Sequence, residues 1–104
     1  MISMKLRFRL MTYKLLFRED ALKEWGKLDN SIKAQFKKKL KERIEQPRVE
    51  NFRLSGMQDC YKIKLRNAGY RLVYQVRDSE VIVSVVAVGK REKNAVYKAA
   101  SRRV

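Results

Sequence analysis

Apolar residues in the first half of the chain recur at helical spacing. One stripe predicts a helix over residues 18–28 and consists of Leu22, Trp25 and Leu28. A second helix follows, because apolar residues then recur at every fourth position: Ile32, Phe36, Leu40 and Ile44. The polar break at residues 29–31 provides N-cap residues, and Pro47 ends the second helix. So short a connection favours an antiparallel helix pair.

The rest of the chain alternates as strands do. Residues 13–17, 61–65 and 70–76 have apolar side chains at every second position, and residues 81–88 are apolar on both faces, as in a central strand. Helix-forming residues return over 92–103. The predicted order is therefore β-α-α-β-β-β-α. This order indicates an α+β fold, with a small antiparallel β-sheet, an N-terminal helical hairpin packed on one face and a C-terminal helix.

The first ten residues stand apart from this plan. They alternate too, but in the opposite phase to residues 13–17, so one straight strand through both would expose one apolar set. A bend near residues 11–12, or a loose extension, is expected. Met11 offers a second start position. We therefore expect residues 1–10 to be an N-terminal extension from an upstream start, and residues 11–104 to form a single domain.

The register of the predicted β-hairpin at residues 61–76 follows from which positions are apolar. They are odd-numbered in strand 61–65 and even-numbered in strand 70–76. Directly opposite residues of an antiparallel pair point to the same side, so odd positions must face even ones, as in Leu65 opposite Tyr70. A bulge at Gly69 is expected to allow a three-residue turn. This register gathers three cations on the other, solvated face: Lys62, Lys64 and Arg71.

Charge suggests the kind of partner. The chain has 26 Lys and Arg residues against 11 Asp and Glu, a net charge of +15, and no fold requires such an excess. It indicates a polyanion, an acidic protein or an anionic membrane surface, although a merely solvated basic surface is the alternative. The second helix carries much of it: Lys33, Lys37, Lys38, Lys39, Lys41 and Arg43. No segment approaches the roughly 20 apolar residues of a membrane span.

The chemistry open to this chain is narrow, because it has no histidine and one cysteine, Cys60. No zinc or iron site and no internal disulfide is expected, and Cys60 fits a buried small residue. Clustered lysines depress one another's pKa, so one could act as a base while another stabilises a phosphorane. The alternative is a sheet edge protected by lysines. Arg91 follows the central strand, and Tyr97 is either a functional or a core aromatic residue.

Five stretches of the sequence resemble the RelE toxins of the RelE/ParE superfamily, from about residue 12 to the C-terminus. They are Ala21-Leu-Lys-Glu-Trp25, Gln35-Phe-Lys-Lys-Lys-Leu40, Asp59-Cys-Tyr-Lys-Ile-Lys-Leu-Arg66, Gly69-Tyr-Arg-Leu-Val-Tyr-Gln-Val76 and Val88-Gly-Lys-Arg-Glu92 with Val96-Tyr97. Some superfamily members use a His and Glu pair, so a chain without histidine resembles the Lys/Arg/Tyr branch. Ser55 departs from the family pattern, which has an Arg at that position. One contact with rRNA is therefore expected to be weaker here.

The resemblance implies the toxin of a type II toxin–antitoxin system, a ribosome-dependent, metal-independent endoribonuclease without cofactor that cleaves mRNA in the A site. In that branch the 2′-hydroxyl attacks the adjacent phosphate and leaves a 2′,3′-cyclic phosphate. The catalytic positions carried over are Lys62, Lys64, Arg71, Arg91 and Tyr97. Lys64 or Tyr97 would take the proton, Arg91 would assist the leaving oxygen, and Lys62 with Arg71 would hold the phosphate. The expected RNA-binding residues are Lys37, Lys38, Lys41, Arg66 and Lys90.

The resemblance also implies partners. These are mRNA and small-subunit rRNA at the ribosomal A site, and an acidic or amphipathic RelB-like antitoxin through which alone the toxin would reach operator DNA. No membrane contact is expected, and the location would be the cytoplasm. Two alternatives remain: a non-nucleolytic ParE-like gyrase inhibitor, and a passive RNA- or ribosome-binding module.

Overall fold

The computed structural model describes residues 12–104, so the expectations for residues 1–10 lie outside the described residues. The elements are β1 Lys14–Phe17, α1 Glu19–Gly26, α2 Asn30–Arg43, β2 Cys60–Leu65, β3 Tyr70–Arg77, β4 Ile82–Lys90 and α3 Ala95–Arg103. Short 3-10 turns cover Glu50–Phe52 and Asp78–Glu80. The α+β class and the order β-α-α-β-β-β-α are confirmed. None of the helices in the described part is long and apolar enough to cross a membrane.

The four strands of residues 12–104 form one sheet in the order β1-β4-β3-β2. Strands β2, β3 and β4 are joined by turns and pair antiparallel, as predicted. Strand β1 differs, because it pairs parallel to β4, with Lys14 opposite Ile82. Apolar alternation shows which side of a strand is buried, but not which neighbour it takes or in which direction it runs. The sheet is therefore mixed at this one edge.

The helical hairpin covers one face of the sheet and forms the larger core. Asp29 caps α2, since its side chain accepts a hydrogen bond from the Ile32 amide at 3.0 Å. This core joins buried residues of the hairpin, Ala21, Leu28, Ile32, Phe36 and Leu40, to buried residues of the sheet, Tyr61, Ile63, Leu65, Leu72, Tyr74, Val76, Val83, Val85 and Val88. The predicted helix stripes and strand alternation meet on this face.

Residues 12–104 cover the opposite face of the sheet only partly. The short helix α3 packs there on a second cluster of Cys60, Val73, Val86, Ala87, Val96 and Ala100. Lys62, Lys64 and Arg71 alternate with the apolar residues of the larger core, so they point to the α3 side. The uncovered part of this face is where the cations lie.

The predicted register of the β2–β3 hairpin is confirmed, with Leu65 opposite Tyr70 and Lys64 opposite Arg71. The expected bulge at Gly69 is absent, because the turn has four residues, 66–69, and this length brings odd positions opposite even ones unaided. Gly69 has a φ of +74°, which glycine adopts without strain. The irregularity of the sheet lies instead in the β3–β4 pair, where Val73 and Tyr74 face Ala87 and Val85 and leave Val86 of β4 as the extra residue.

Candidate active site

All five predicted catalytic side chains line one cavity of about 220 Å³ on the α3 side of the sheet. Two of them are on β2, one is on β3, and two come from the segment after β4 and from α3. The complete lining is Lys62, Lys64, Arg71, Lys90, Arg91, Asn94, Ala95, Val96 and Tyr97. Within residues 12–104, no acidic side chain lines this cavity. The structure thus brings together residues up to 35 positions apart in the chain, Lys62 to Tyr97.

Backbone pairing explains how distant parts of the chain reach the cavity. Gly89 lies opposite Arg71 in the β3–β4 pair and has no side chain to fill the space beside it. The amide of Arg91 donates to the Gly69 carbonyl at 2.8 Å, which fixes Arg91 beside the β2–β3 turn. Lys93 and Asn94 then take left-handed φ angles of +48° and +57°, and the chain turns into α3. This turn places Tyr97 over the sheet.

The cavity is strongly electropositive. The pKa of Lys64 is lowered, chiefly by the charge of Lys62 and further by desolvation and by the charges of Arg66 and Arg71. Arg71 was expected on a solvated face, but it is only 8% exposed, and its guanidinium donates to the Tyr70 carbonyl at 3.0 Å. The N-terminal end of α3 also lines the cavity and adds partial positive charge. An anion is the natural occupant.

Metal ligands are scarce around this site. The described residues contain no group of three His, Cys, Asp or Glu side chains close enough to hold an ion. Lysine and arginine donate hydrogen bonds and carry positive charge, so they suit phosphate oxygens and developing negative charge. The arrangement can therefore bind a phosphodiester and stabilise extra negative charge on it.

The five expected RNA-binding residues lie in three different places. Lys90 lines the cavity itself, and Arg66 lines a second groove that also includes Lys64. The remaining three line a third depression, between α2 and β1, which is mainly apolar: Lys37, Lys38 and Lys41. Sequence reasoning thus grouped residues that the fold separates.

Two site residues were missed from the sequence. Asn94 lines the cavity and has a left-handed φ, which Asn tolerates better than most residues, but no pattern in the sequence marked it as a site residue. Lys39 lines the second groove, on the same α2 stripe as Arg43, four residues on. Arg43 was placed among the solvated cations of the helix, yet it is buried and donates to the Tyr74 hydroxyl at 2.9 Å. An arginine four residues after a lysine gives no warning of this.

Helix α3 is held at its C-terminal end by a polar contact, the Arg103 latch. The Arg103 guanidinium donates to both carboxylate oxygens of Glu24, at 3.0 and 2.9 Å, and to the Val86 carbonyl at 2.8 Å. Glu24 in turn accepts from the Val88 amide at 3.1 Å. These two side chains satisfy backbone groups of β4 where β1 no longer pairs with it.

Comparison with known proteins gives consistent matches. The family model described as ParE toxin of type II toxin-antitoxin system, parDE, matches residues 15–95. The chain is 57% identical over 94 residues to the mRNA interferase toxin RelE of Escherichia coli K12, covering 90% of this chain and 99% of that protein. It is equally similar to the mRNA interferase RelE of Shigella flexneri.

Solved structures agree with this likeness. A double mutant of E. coli RelE in the free state superimposes with a TM-score of 0.83 at 56% identity, covering 89% of this chain and 98% of that one. The toxin in the intact E. coli RelBE toxin-antitoxin complex superimposes with a TM-score of 0.75 at 59% identity, covering 78% and 99%. The predicted resemblance to the RelE family is confirmed.

Proposed function

The chain belongs to the RelE/ParE family of type II toxins, and from this premise we propose that it is an mRNA interferase. Its substrate would be mRNA held in the ribosomal A site, and its product ends a 2′,3′-cyclic phosphate and a 5′-hydroxyl. The observation that carries the proposal is that the five predicted catalytic residues line the same cavity: Lys62, Lys64, Arg71, Arg91 and Tyr97. The RelE relatives named above are mRNA interferases, which supports the same assignment.

The reaction needs three services from these side chains. A base removes the proton of the 2′-hydroxyl, whose oxygen then attacks the adjacent phosphorus. The phosphorane gains negative charge, which Lys62 and the buried Arg71 stabilise through charge-assisted hydrogen bonds. The bond to the 5′-oxygen breaks, and Arg91, held beside the turn by its backbone amide, stabilises or protonates that oxygen. No metal is required by this scheme.

We assign the base to Lys64. Its pKa is lowered by its cationic neighbours, Lys62 first, so a larger fraction of it is neutral at a given pH. Tyr97 is half-buried at the start of α3 and is left to orient the attacking nucleotide, by stacking or through its hydroxyl. Even so, a lysine is mostly protonated near neutral pH, which limits it as a base. Precise positioning of the mRNA by rRNA would offset this weakness, since effective alignment lowers the barrier.

The proposed partners follow from the same relatives. E. coli RelE has been crystallised with its antitoxin RelB, and we propose a RelB-like antitoxin here, with operator DNA reached only through the complex. A net charge of +15 suits an acidic antitoxin as well as rRNA. The cytoplasm is the proposed location. We also propose that residues 1–10 are an N-terminal extension, since the match to E. coli RelE spans 94 of the 104 residues and 99% of that protein.

The test uses purified protein and ribosomes translating a defined mRNA. We expect cuts within A-site codons, cyclic phosphate ends, and no cut where the attacking 2′-hydroxyl is replaced by hydrogen. The double variant Arg91→Ala/Tyr97→Phe should cleave at least ~100-fold more slowly, because it loses charge stabilisation and positioning together. Cleavage by this variant at the wild-type rate would refute the site assignment.

A second candidate is a ParE-like gyrase inhibitor, which the family model match over residues 15–95 favours. The basic cavity serves no purpose in that function. Supercoiling assays separate the two, because an interferase leaves gyrase active and a ParE-like toxin leaves mRNA intact. A passive RNA-binding module would affect neither reaction and would bind RNA without cleaving it.

A further inference from the structure

A second groove, of about 560 Å³, lies next to the cavity, between α2 and the outer edge of β2. Its polar rim consists of Gln35, Lys39, Lys64, Arg66 and Asn67, with Phe52 at one side. Among the strands of the described part, β2 is at the edge of the sheet, so this side of it faces the helix and solvent rather than another of those strands. No step of the proposed reaction uses the groove.

The groove is cationic without being filled by its own ion pairs. Arg43 at its base is buried and bonded to the Lys62 carbonyl at 3.2 Å and to the Tyr74 hydroxyl. The three other cations are partly or fully exposed: Lys39, Lys64 and Arg66. Among the described residues, no acidic side chain lines the groove. A second anion is therefore expected beside the first.

Lys64 connects the two sites, because it lines both the cavity and the groove. Arg66 lies near enough to Lys64 for its charge to lower the pKa of that lysine. A polymer of phosphates satisfies both sites at once, whereas a small anion fills only one. The amides of Gln35 and Asn67 can hydrogen-bond to bases or sugars, and the partly exposed Phe52 ring offers an apolar surface.

We propose that this groove binds the RNA strand beside the cleaved nucleotide, with Lys39 and Arg66 holding its next phosphates. The inference rests on the proposed function, since it takes the cavity to hold the scissile phosphate. It also moves RNA binding on α2 away from Lys37, Lys38 and Lys41. The depression that those three share includes Leu15, Leu40 and Ile44, and it has a far smaller polar surface than the groove.

The test measures binding of a fluorescein-labelled single-stranded RNA of about 12 nucleotides, within the site sizes of such proteins, by anisotropy. Methylating every 2′-oxygen removes the attacking hydroxyl, so binding is separated from cleavage. Losing one phosphate contact weakens binding about 5-fold at 0.1 M salt, and reversing the charge about 25-fold, because each contact contributes roughly 0.7 to the log–log salt slope.

Lys39→Glu is thus expected to weaken binding about 25-fold and Arg66→Ala about 5-fold, each with a shallower salt dependence. The matched control is Lys33→Glu, which makes the same charge change on the same helix but lines neither the cavity nor the groove. Lys38→Glu, on the other side of α2, should lose less than Lys39→Glu. Melting temperatures are recorded to show that every variant is folded.

Two outcomes overturn the inference: Lys39→Glu binding as well as Lys33→Glu, or Lys38→Glu losing as much as Lys39→Glu. Cleavage on translating ribosomes is measured with the same proteins. If the wild type cleaves but Lys33→Glu and Lys39→Glu bind RNA equally well, the groove inference is refuted and the proposed function stands. If Lys39→Glu weakens RNA binding but the wild type never cleaves mRNA, the proposed function is refuted and the groove remains an RNA-binding site.

Discussion

Replacing Arg103 by alanine removes the latch that holds the C-terminal end of α3. The change leaves the Val86 carbonyl without its guanidinium donor and leaves the Glu24 carboxylate with the Val88 amide. Because α3 carries Tyr97, a loosened helix also moves a proposed site residue. The expected result is therefore local: α3 opens more often while the sheet and the helical hairpin stay folded.

The magnitude follows from the contacts. Arg103 donates three hydrogen bonds, and its side chain is 18% exposed against 30% for Glu24. Hydrogen bonds to charged groups contribute about 1.5–3 kcal/mol each, and discounting for partial exposure gives about 2–3 kcal/mol for the latch. Burial of Val96 and Ala100, the apolar anchors of α3, contributes roughly the same. Losing the latch should shift the docked-to-open ratio roughly 30- to 140-fold.

Amide hydrogen exchange is the direct assay, since it reports the opening of individual helices. Protection of α3 amides should fall by that factor in Arg103→Ala, while amides of β3 and β4 change little. Arg102→Ala is the matched control, because it removes the same charge from an exposed neighbour. Arg103→Lys should recover only part of the protection, since an ammonium cannot reproduce the planar guanidinium contacts. mRNA cleavage should fall in the same order as protection.

Equal exchange of the α3 amides in Arg103→Ala and Arg102→Ala would show that the latch does not hold α3. Equal loss of protection at all amides of Arg103→Ala would show that the contact stabilises the whole domain rather than α3.

Three further predictions concern stability and reactivity. Val81 has a φ of +55°, an unfavourable conformation for a β-branched residue, so Val81→Gly should raise the free energy of unfolding by about 1 kcal/mol in urea titrations; no gain would mean no strain there. Burial raises the pKa of Tyr74 above 10.0, so stability present below pH 10 should decline as pH rises through the raised value. Denaturation curves of Tyr74→Phe should show a smaller decline than the wild type, the remainder coming from Cys60 and Tyr13, whose pKa values are also raised; an unchanged decline would exclude a contribution from Tyr74. Desolvation raises the pKa of the buried Cys60 thiol to about 11, so thiol reagents should react only after unfolding; rapid labelling of the native protein would contradict its burial.

Local patterns in the sequence were sufficient for most of the fold. The i+4 repeat of α2 and the Asp29 cap correspond to observed features, and the parity of apolar positions gave the Leu65–Tyr70 register. Parity also placed Lys62, Lys64 and Arg71 on one face. Such inferences succeed because helix and strand periodicities decide which side chains share a face before any tertiary contact forms.

Long-range choices were not available from the sequence. The parallel pairing of β1 with β4 depends on how the helical hairpin returns the chain, and no residue of β1 encodes it. The α2 lysines are divided between the groove and the third depression according to which side of the helix meets β2. The buried Arg43 marks that side, and its burial can be seen only in the folded structure. Arg91 and Tyr97 were added to the three cations of β2 and β3 only through the resemblance. The catalytic roles of all five residues stay predictions.

The position of β4 determines when this protein can assemble. Strand β4 is central, yet it is the last strand made, and β1 must wait for it across 68 residues, from Lys14 to Ile82. Contacts between distant parts of a chain form late. The sheet can therefore be completed only after Lys90 has been synthesised, and the cavity built on it only after Tyr97, so a nascent chain shorter than this has no active cavity.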